Sequence, residues 1–151
     1  MKLAEALSLR TDVQKRLEQL KARLLRNATV QEGEMPAEDP RTLLAEYDAL
    51  SVELTQFIER INRTNAVTQV AGRTMTRALA ERDVLKQRQA TYRDLAEAGT
   101  VSRSIVTRSE VRFRSVVDVA AIQKQADALA KSLRELDAQI QEVNWRVNLQ
   151  D

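Results

Sequence analysis

Apolar residues recur at alternating steps of three and four in the C-terminal part of the chain. This spacing gives four heptads of a and d positions, the stripe by which one helix face packs on another. Its members are Val119, Ile122, Ala126, Leu129, Leu133, Leu136, Ile140, Val143 and Val147. Asp118 precedes the stripe as the expected N-cap. Burying these side chains does not offset the entropy cost of ordering about thirty residues, so the helix requires partner helices.

Two more long helices are predicted in the N-terminal part. Helix one covers about residues 2–30, where the apolar positions follow an eleven-residue period and form a wide stripe. A loop with one glycine and one proline follows, and Asp39-Pro40 then supplies an N-cap and a proline at the first position of helix two. Because the two helices are similar in length and joined by a short loop, we expect an antiparallel hairpin.

The apolar pattern weakens after Ile61, where polar residues occupy the expected seam. Ala71-Gly72 marks a turn, and two short strands are predicted around residues 67–70 and 73–75. Between residues 110 and 115, apolar and charged side chains alternate with the period of a half-buried strand. These segments predict a small β element.

Helix three is predicted over about residues 76–98 and stops at Gly99. Its seam is mixed, since Arg82 and Gln89 stand where the other helices carry apolar residues. These two side chains either line an internal polar site or indicate a peripheral helix with a narrow apolar edge. The second interpretation is simpler.

Together the elements predict a mainly α-helical fold, an elongated, coiled-coil-like bundle of long antiparallel helices with a small β element at one end. A chain of 151 residues is enough for one domain and too short for two ordinary ones. We expect a single helical domain over residues 1–151, made of a helical hairpin (1–68), short strands plus a basic helix three (69–117) and a long C-terminal helix (118–151). The composition, with 30% charged and 3% aromatic residues, agrees with long helices.

The net charge of +2 is unevenly distributed. Residues 1–60 and 118–151 each carry a net −2, whereas residues 61–117 carry a net +6. One interpretation is a patch that binds phosphates, with Tyr92 or Phe113 available to stack a base. The other is that the arginines pair with carboxylates of helices one, two and four, including across a subunit interface. The near-balanced total favours pairing. The arginines concerned are Arg73, Arg77, Arg103, Arg108, Arg112 and Arg114, and Arg82 is a further candidate.

Trp145 is the only tryptophan, and its heptad position is f, opposite the a and d seam. A large apolar ring is not expected to stand in water there. Either the chain itself covers the ring or another subunit does. Together with the wide apolar stripes, Trp145 predicts a stable homo-oligomer, a dimer or a multiple of one.

Catalytic and cofactor chemistry is not indicated. The chain has no histidine and no cysteine, which removes the usual zinc sites and the Ser-His and Cys-His arrangements. Glycine-rich phosphate-binding motifs are missing as well. No apolar run approaches the roughly 18 residues of a membrane span, and the first ten residues lack a signal-peptide core. We therefore expect a soluble, cytoplasmic protein that is not an enzyme and needs no cofactor or metal.

Four short runs resemble a known family. They are Ile61-Asn62-Arg63-Thr64-Asn65, Leu79-Ala80-Glu81-Arg82-Asp83, Val117-Asp118-Val119 followed by Gln123-Lys124-Gln125, and Gln141-Glu142-Val143-Asn144-Trp145. Taken together they resemble the septicolysin-like family of small uncharacterised bacterial proteins, over essentially the whole chain. The resemblance implies no catalytic residues. The cytolytic activity in that name is not carried over, since no long amphipathic β segment is present.

These observations lead to two functional hypotheses. The first is a homo-oligomeric helical interaction or scaffold protein whose partner is itself. The alternative is nucleic-acid or polyanion binding through residues 61–117. An enzyme ranks third.

Overall fold

Helices make up most of the computed structural model, which describes residues 1–101 and 111–151. The elements follow in the order α1 Leu3–Arg26, α2 Pro40–Val67, β1 Gln69–Val70, β2 Arg73–Thr74, α3 Met75–Ala98 and α4 Val119–Arg146. The predicted mainly helical fold with a small β element is confirmed. The chain divides into two compact units, residues 1–68 with 142–151 (unit 1) and residues 69–141 (unit 2).

In unit 1, α1 and α2 form the predicted antiparallel hairpin. The Asp39 side chain accepts a hydrogen bond from the backbone N–H of Arg41 at 2.9 Å, and Pro40 occupies the first helical turn, as the sequence indicates. The core between the helices consists of Val13, Leu17, Leu20, Leu43 and Leu50. The apolar faces of α1 and α2 therefore cover each other.

The second helix continues through the polar stretch that follows Ile61. Thr64 is only 1% exposed, and its hydroxyl donates to the carbonyl of Arg60 at 2.8 Å. The same oxygen accepts from the backbone N–H of Gln150 at 3.0 Å. A buried polar side chain is tolerated here because its hydrogen bonds are made, partly with a segment distant in sequence.

The C-terminal residues complete unit 1. α4 ends at Arg146, so the predicted last seam residue, Val147, lies beyond the helix. The backbone N–H of Leu3 donates to the carbonyl of Val147, and that of Leu149 donates to the carbonyl of Met1, both at 3.0 Å. The side chains of Leu3, Ala6, Ile61 and Leu149 form a second buried cluster.

Unit 2 begins with the predicted turn. Val70 pairs with Arg73 and Gln69 with Thr74 in an antiparallel hairpin. Ala71 and Gly72 connect the strands with φ angles of 48° and 79°, the positive values of the tight turns that suit hairpin twist. Thr74 then caps α3, accepting from the backbone N–H of Arg77 at 3.3 Å.

Gly99 ends α3 where the sequence predicts, but for a different reason. Its φ of −78° is an ordinary helical value, so a left-handed cap is not what requires glycine. A Cβ atom at this position would lie 2.6 Å from Cγ2 of Val117. Glycine is therefore needed because the segment leading into α4 approaches closely.

Asp118 caps α4 as predicted, accepting from the backbone N–H of Ala121 at 3.0 Å. The strand predicted over residues 110–115 is not formed by residues 111–115, which have no regular secondary structure. Residue 110 lies outside the described residues. In the described part of the chain the sheet consists of β1 and β2. Alternation alone does not make a strand, because its backbone also needs a neighbouring strand to pair with.

Candidate functional site

Two of the predicted arginines meet at one carboxylate in unit 2. Arg73 closes the hairpin, and Arg77 and Glu81 are one helical turn apart on α3. Arg77 Nε donates to Glu81 Oε1 at 3.0 Å. Arg73 Nε lies 2.9 Å from Glu81 Oε2, but this atom is buried without a hydrogen-bond partner. The Arg73–Glu81 contact is thus an ion pair whose N–H does not point at the carboxylate.

A cleft of about 490 Å³ opens beside these side chains. It is lined by Gln69, Ala71, Gly72, Arg73, Thr74, Arg77 and Glu81. Two guanidinium groups and one carboxylate give the lining a net charge of +1. The terminal guanidinium nitrogens of both arginines make no hydrogen bond to another described residue.

Arg82 lies elsewhere on α3 and does not join this cleft. Its guanidinium is 3.4 Å from Asp83 Oδ1 and 3.7 Å from Asp137 Oδ1 on α4. The side chain is 24% exposed, so it bridges α3 to α4 at a partly buried position. For these three arginines the structure shows ion pairs with partners on α3 and α4.

Arg112 and Arg114 are exposed and flank an equally exposed Phe113. No carboxylate of the described residues lies within ion-pair distance of either guanidinium. Because residues 111–115 form no strand, their alternation does not place both arginines on one strand face. Arg103 and Arg108, the other members of the predicted patch, lie outside the described residues.

Trp145 remains 63% exposed. Its heptad position raised two alternatives, and the first, covering by the chain itself, is not observed among residues 1–101 and 111–151. Covering by another subunit stays a prediction. The sequence correctly indicated that this ring stands away from the a and d seam.

A groove between α3 and α4 is a feature that sequence reasoning missed. It has a volume of about 330 Å³ and is lined by Arg88, Tyr92, Gln125, Ala128, Leu129 and Ser132. Leu129 is a seam position of α4 that is only half-buried, because the facing surface of α3 is polar or small at several positions. The mixed seam of α3 was the signal that could have revealed this groove.

One ion pair in unit 1 shifts the pKa values of both of its partners. Arg23 Nε donates to Glu38 Oε2 at 3.1 Å, and Arg23 Nη2 donates to Glu38 Oε1. The hydrogen bonds from Arg23 lower the pKa of the Glu38 carboxyl, and those to Glu38 raise the pKa of the Arg23 guanidinium. The pair ties the loop before α2 to the end of α1.

The described residues contain no group of three or more carboxylate, histidine or cysteine side chains placed to hold a metal ion. Within residues 1–101 and 111–151, no helix is both long and apolar enough to cross a bilayer.

Comparison with known proteins yields a fold and a family but no activity. A crystal structure described as that of a functionally unknown conserved protein from Corynebacterium diphtheriae shares 42% sequence identity with the chain. The match covers 99% of each chain with a TM-score of 0.94. The sequence model of a family of unknown function, DUF6847, matches residues 10–149. No curated protein matches.

These matches correct the resemblance drawn from the four short runs: the septicolysin-like assignment is wrong. Three of the runs lie wholly within α2, α3 and α4, and the fourth lies largely within α4. On a helix, amphipathic spacing and good helix formers restrict the choice of residues, so short runs of this kind recur in unrelated helical proteins.

Proposed function

Since the chain belongs to DUF6847, a family of unknown function, we propose from the geometry of its helices that it is a homo-oligomeric interaction protein whose first partner is a second copy of itself. The observation that supports this proposal is the incompletely covered seam of α4. In unit 2, Ala126, Leu136 and Ile140 are buried. The other seam residues of that unit remain partly exposed, namely Val119, Ile122, Leu129 and Leu133.

The half-exposed seam positions lie on the same helix face as the buried ones, and Leu129 lines the groove between α3 and α4. Burying the exposed part of each such leucine or isoleucine contributes on the order of 1 kcal/mol. In a twofold interface every contact occurs twice, which doubles this contribution. A second copy packed along the groove would therefore complete the seam that α3 covers only in part.

The test is the molar mass in solution, measured by light scattering and sedimentation velocity at tens of micromolar. The unmodified protein is expected to form a dimer or a multiple of one. Leu129→Glu places a charge in the groove and should shift the protein towards monomer. Gln139→Glu introduces the same charge at an exposed position of the same helix and serves as the matched control. A monomeric unmodified protein contradicts the proposal, and so does equal dissociation by both variants.

A second candidate, nucleic-acid or other polyanion binding through residues 61–117, is favoured by the exposed Arg112-Phe113-Arg114 triplet. An exposed aromatic ring between two guanidinium groups suits a base stacked between phosphate contacts. On duplex DNA, log affinity should fall with log salt at a slope of about −0.9 per phosphate contact. Replacing Arg112 and Arg114 by Gln should flatten the slope by about two contacts, whereas Arg93→Gln, which breaks an ion pair with Asp94 on α3, should not. Salt-insensitive or undetectable binding excludes this candidate.

A further inference from the structure

We infer that the cleft formed by the β1–β2 turn, Arg73 and Arg77 binds a phosphate group of a small molecule. This inference does not depend on self-association. It starts from the way in which Glu81 holds two guanidinium groups at once, Arg77 through a hydrogen bond of 3.0 Å and Arg73 through an ion pair of 2.9 Å. One carboxylate fixes the position of both cations without neutralising them.

Most N–H donors of Arg73 and Arg77 make no hydrogen bond to another described residue. A guanidinium carries five N–H donors in a planar fork that matches two oxygens of a phosphate or carboxylate. Arg77 Nε uses one donor on Glu81, and Arg73 Nε lies in a buried position with no hydrogen bond at all. The Nη donors of both arginines make no hydrogen bond to another described residue, so an anion in the cleft can accept hydrogen bonds from them.

The charge balance of the cleft selects an anion. Its lining carries a net charge of +1 and includes no acidic residue besides Glu81. The remaining lining groups, including the Thr74 hydroxyl and the amide of Gln69, are neutral donors or acceptors. Phosphate carries between one and two negative charges near neutral pH. With one negative charge it would neutralise the cleft, and with two it would leave the cleft at −1.

The shape of the cleft selects a small ligand. Its volume of about 490 Å³ lies within the range of small-molecule sites, which is roughly 300–1,000 Å³. The turn leaves the entrance open, since a Cβ atom added at Gly72 would meet nothing within 4 Å. A phosphate with a short organic group fits these dimensions, whereas a nucleic-acid duplex would contact a surface far wider than the cleft.

The experiment is a titration of the full chain with inorganic phosphate and with pyrophosphate at low salt, followed by calorimetry and by the amide NMR signals of the turn. Saturable binding is expected, with shifts concentrated at Gly72 and Thr74. Arg77→Gln should weaken binding at least tenfold. The Arg77 side chain is 73% exposed, so the substitution leaves the fold intact, which circular dichroism verifies. Arg77→Lys keeps the charge without the planar fork and should weaken binding less than Arg77→Gln.

Arg93→Gln is the matched control, because it removes one exposed, ion-paired arginine from the same helix outside the cleft. The inference is overturned if neither phosphate nor pyrophosphate binds saturably. It is overturned as well if Arg93→Gln weakens binding as much as Arg77→Gln, which would mean diffuse attraction to a basic surface. Failure here would leave the molar mass of the unmodified protein unchanged, so it is distinguishable from failure of the proposed self-association.

Discussion

Truncating Leu136 in the α4 seam tests the packing of unit 2 most directly. Leu136 is 4% exposed, whereas Leu133, one step earlier in the seam, is only half-buried. Leu→Ala removes the equivalent of about three methylene groups, or roughly 2.4 kcal/mol of transfer free energy at full burial. The cavity left behind adds to this, so Leu136→Ala should lower the free energy of unfolding by about 3 kcal/mol.

Leu133→Ala should cost less, about 1 kcal/mol, since part of that side chain already contacts water. Gln139→Ala changes an exposed position and should stay within about 0.5 kcal/mol of the unmodified protein. For a chain of this size, each kcal/mol shifts the melting temperature by roughly 2–4 °C. We therefore expect shifts of about 6–12 °C for Leu136→Ala and 2–4 °C for Leu133→Ala.

Urea and thermal unfolding followed by circular dichroism at 222 nm measure these differences, at one protein concentration for all three variants. A Leu136→Ala variant as stable as Gln139→Ala would refute the packing described for α4. The series is then repeated at a tenfold higher concentration. If Leu133 is buried by a second copy, its cost should rise with concentration, because subunit binding stabilises the folded state by mass action. A concentration-independent cost would place Leu133 outside the interface.

Three further predictions concern single side chains. Glu38→Gln removes a carboxyl whose pKa Arg23 holds below the ordinary value of 4.5. The unmodified protein should therefore have a higher melting temperature than the variant above pH 4.5, and this difference should disappear as the pH falls through the lowered pKa. A difference in melting temperature that persists in acid would contradict this. Ala71→Gly removes the strain of an alanine with a positive φ angle and should raise the free energy of unfolding by about 0.5–1 kcal/mol in urea titrations. A lower free energy of unfolding would show that the turn is unstrained. Gly99→Ala forces a Cβ atom against Val117 and should lower the free energy of unfolding by about 1–3 kcal/mol in the same assay. An unchanged free energy of unfolding would mean that the neighbouring segment moves aside at little cost.

Local signals predicted the fold well. Asp39-Pro40 and Asp118 start their helices as the sequence indicates, and Ala71-Gly72 forms the predicted turn. Each of these signals acts within a few residues, through a cap or a restricted φ angle. Contacts between segments distant in sequence could not be predicted in this way. The clearest example is the antiparallel β-bridge between Lys2 and Asn148.

The candidate site was predictable in part for the same reason. Arg77 and Glu81 are four residues apart on one helix, a spacing that the sequence shows directly. Arg73 joins them only because the hairpin turns the chain back towards α3. That both arginines share the Glu81 carboxylate could therefore be seen only in the structure. The groove at Leu129 likewise depends on which part of α3 faces α4. Spacing along one helix does not determine that relation.

The composition of unit 1 has a consequence for the order in which the protein folds during synthesis. Residues 142–151 complete this unit, and Leu149 lies in the same buried cluster as Leu3 and Ile61. A ribosome has therefore made all of residues 69–141 before it delivers the segment that closes the cluster. Until then, the Leu3 end of the α1–α2 core has no Leu149 side chain to cover it. We therefore expect the nascent chain to be most accessible to chaperones and proteases before residues 142–151 emerge.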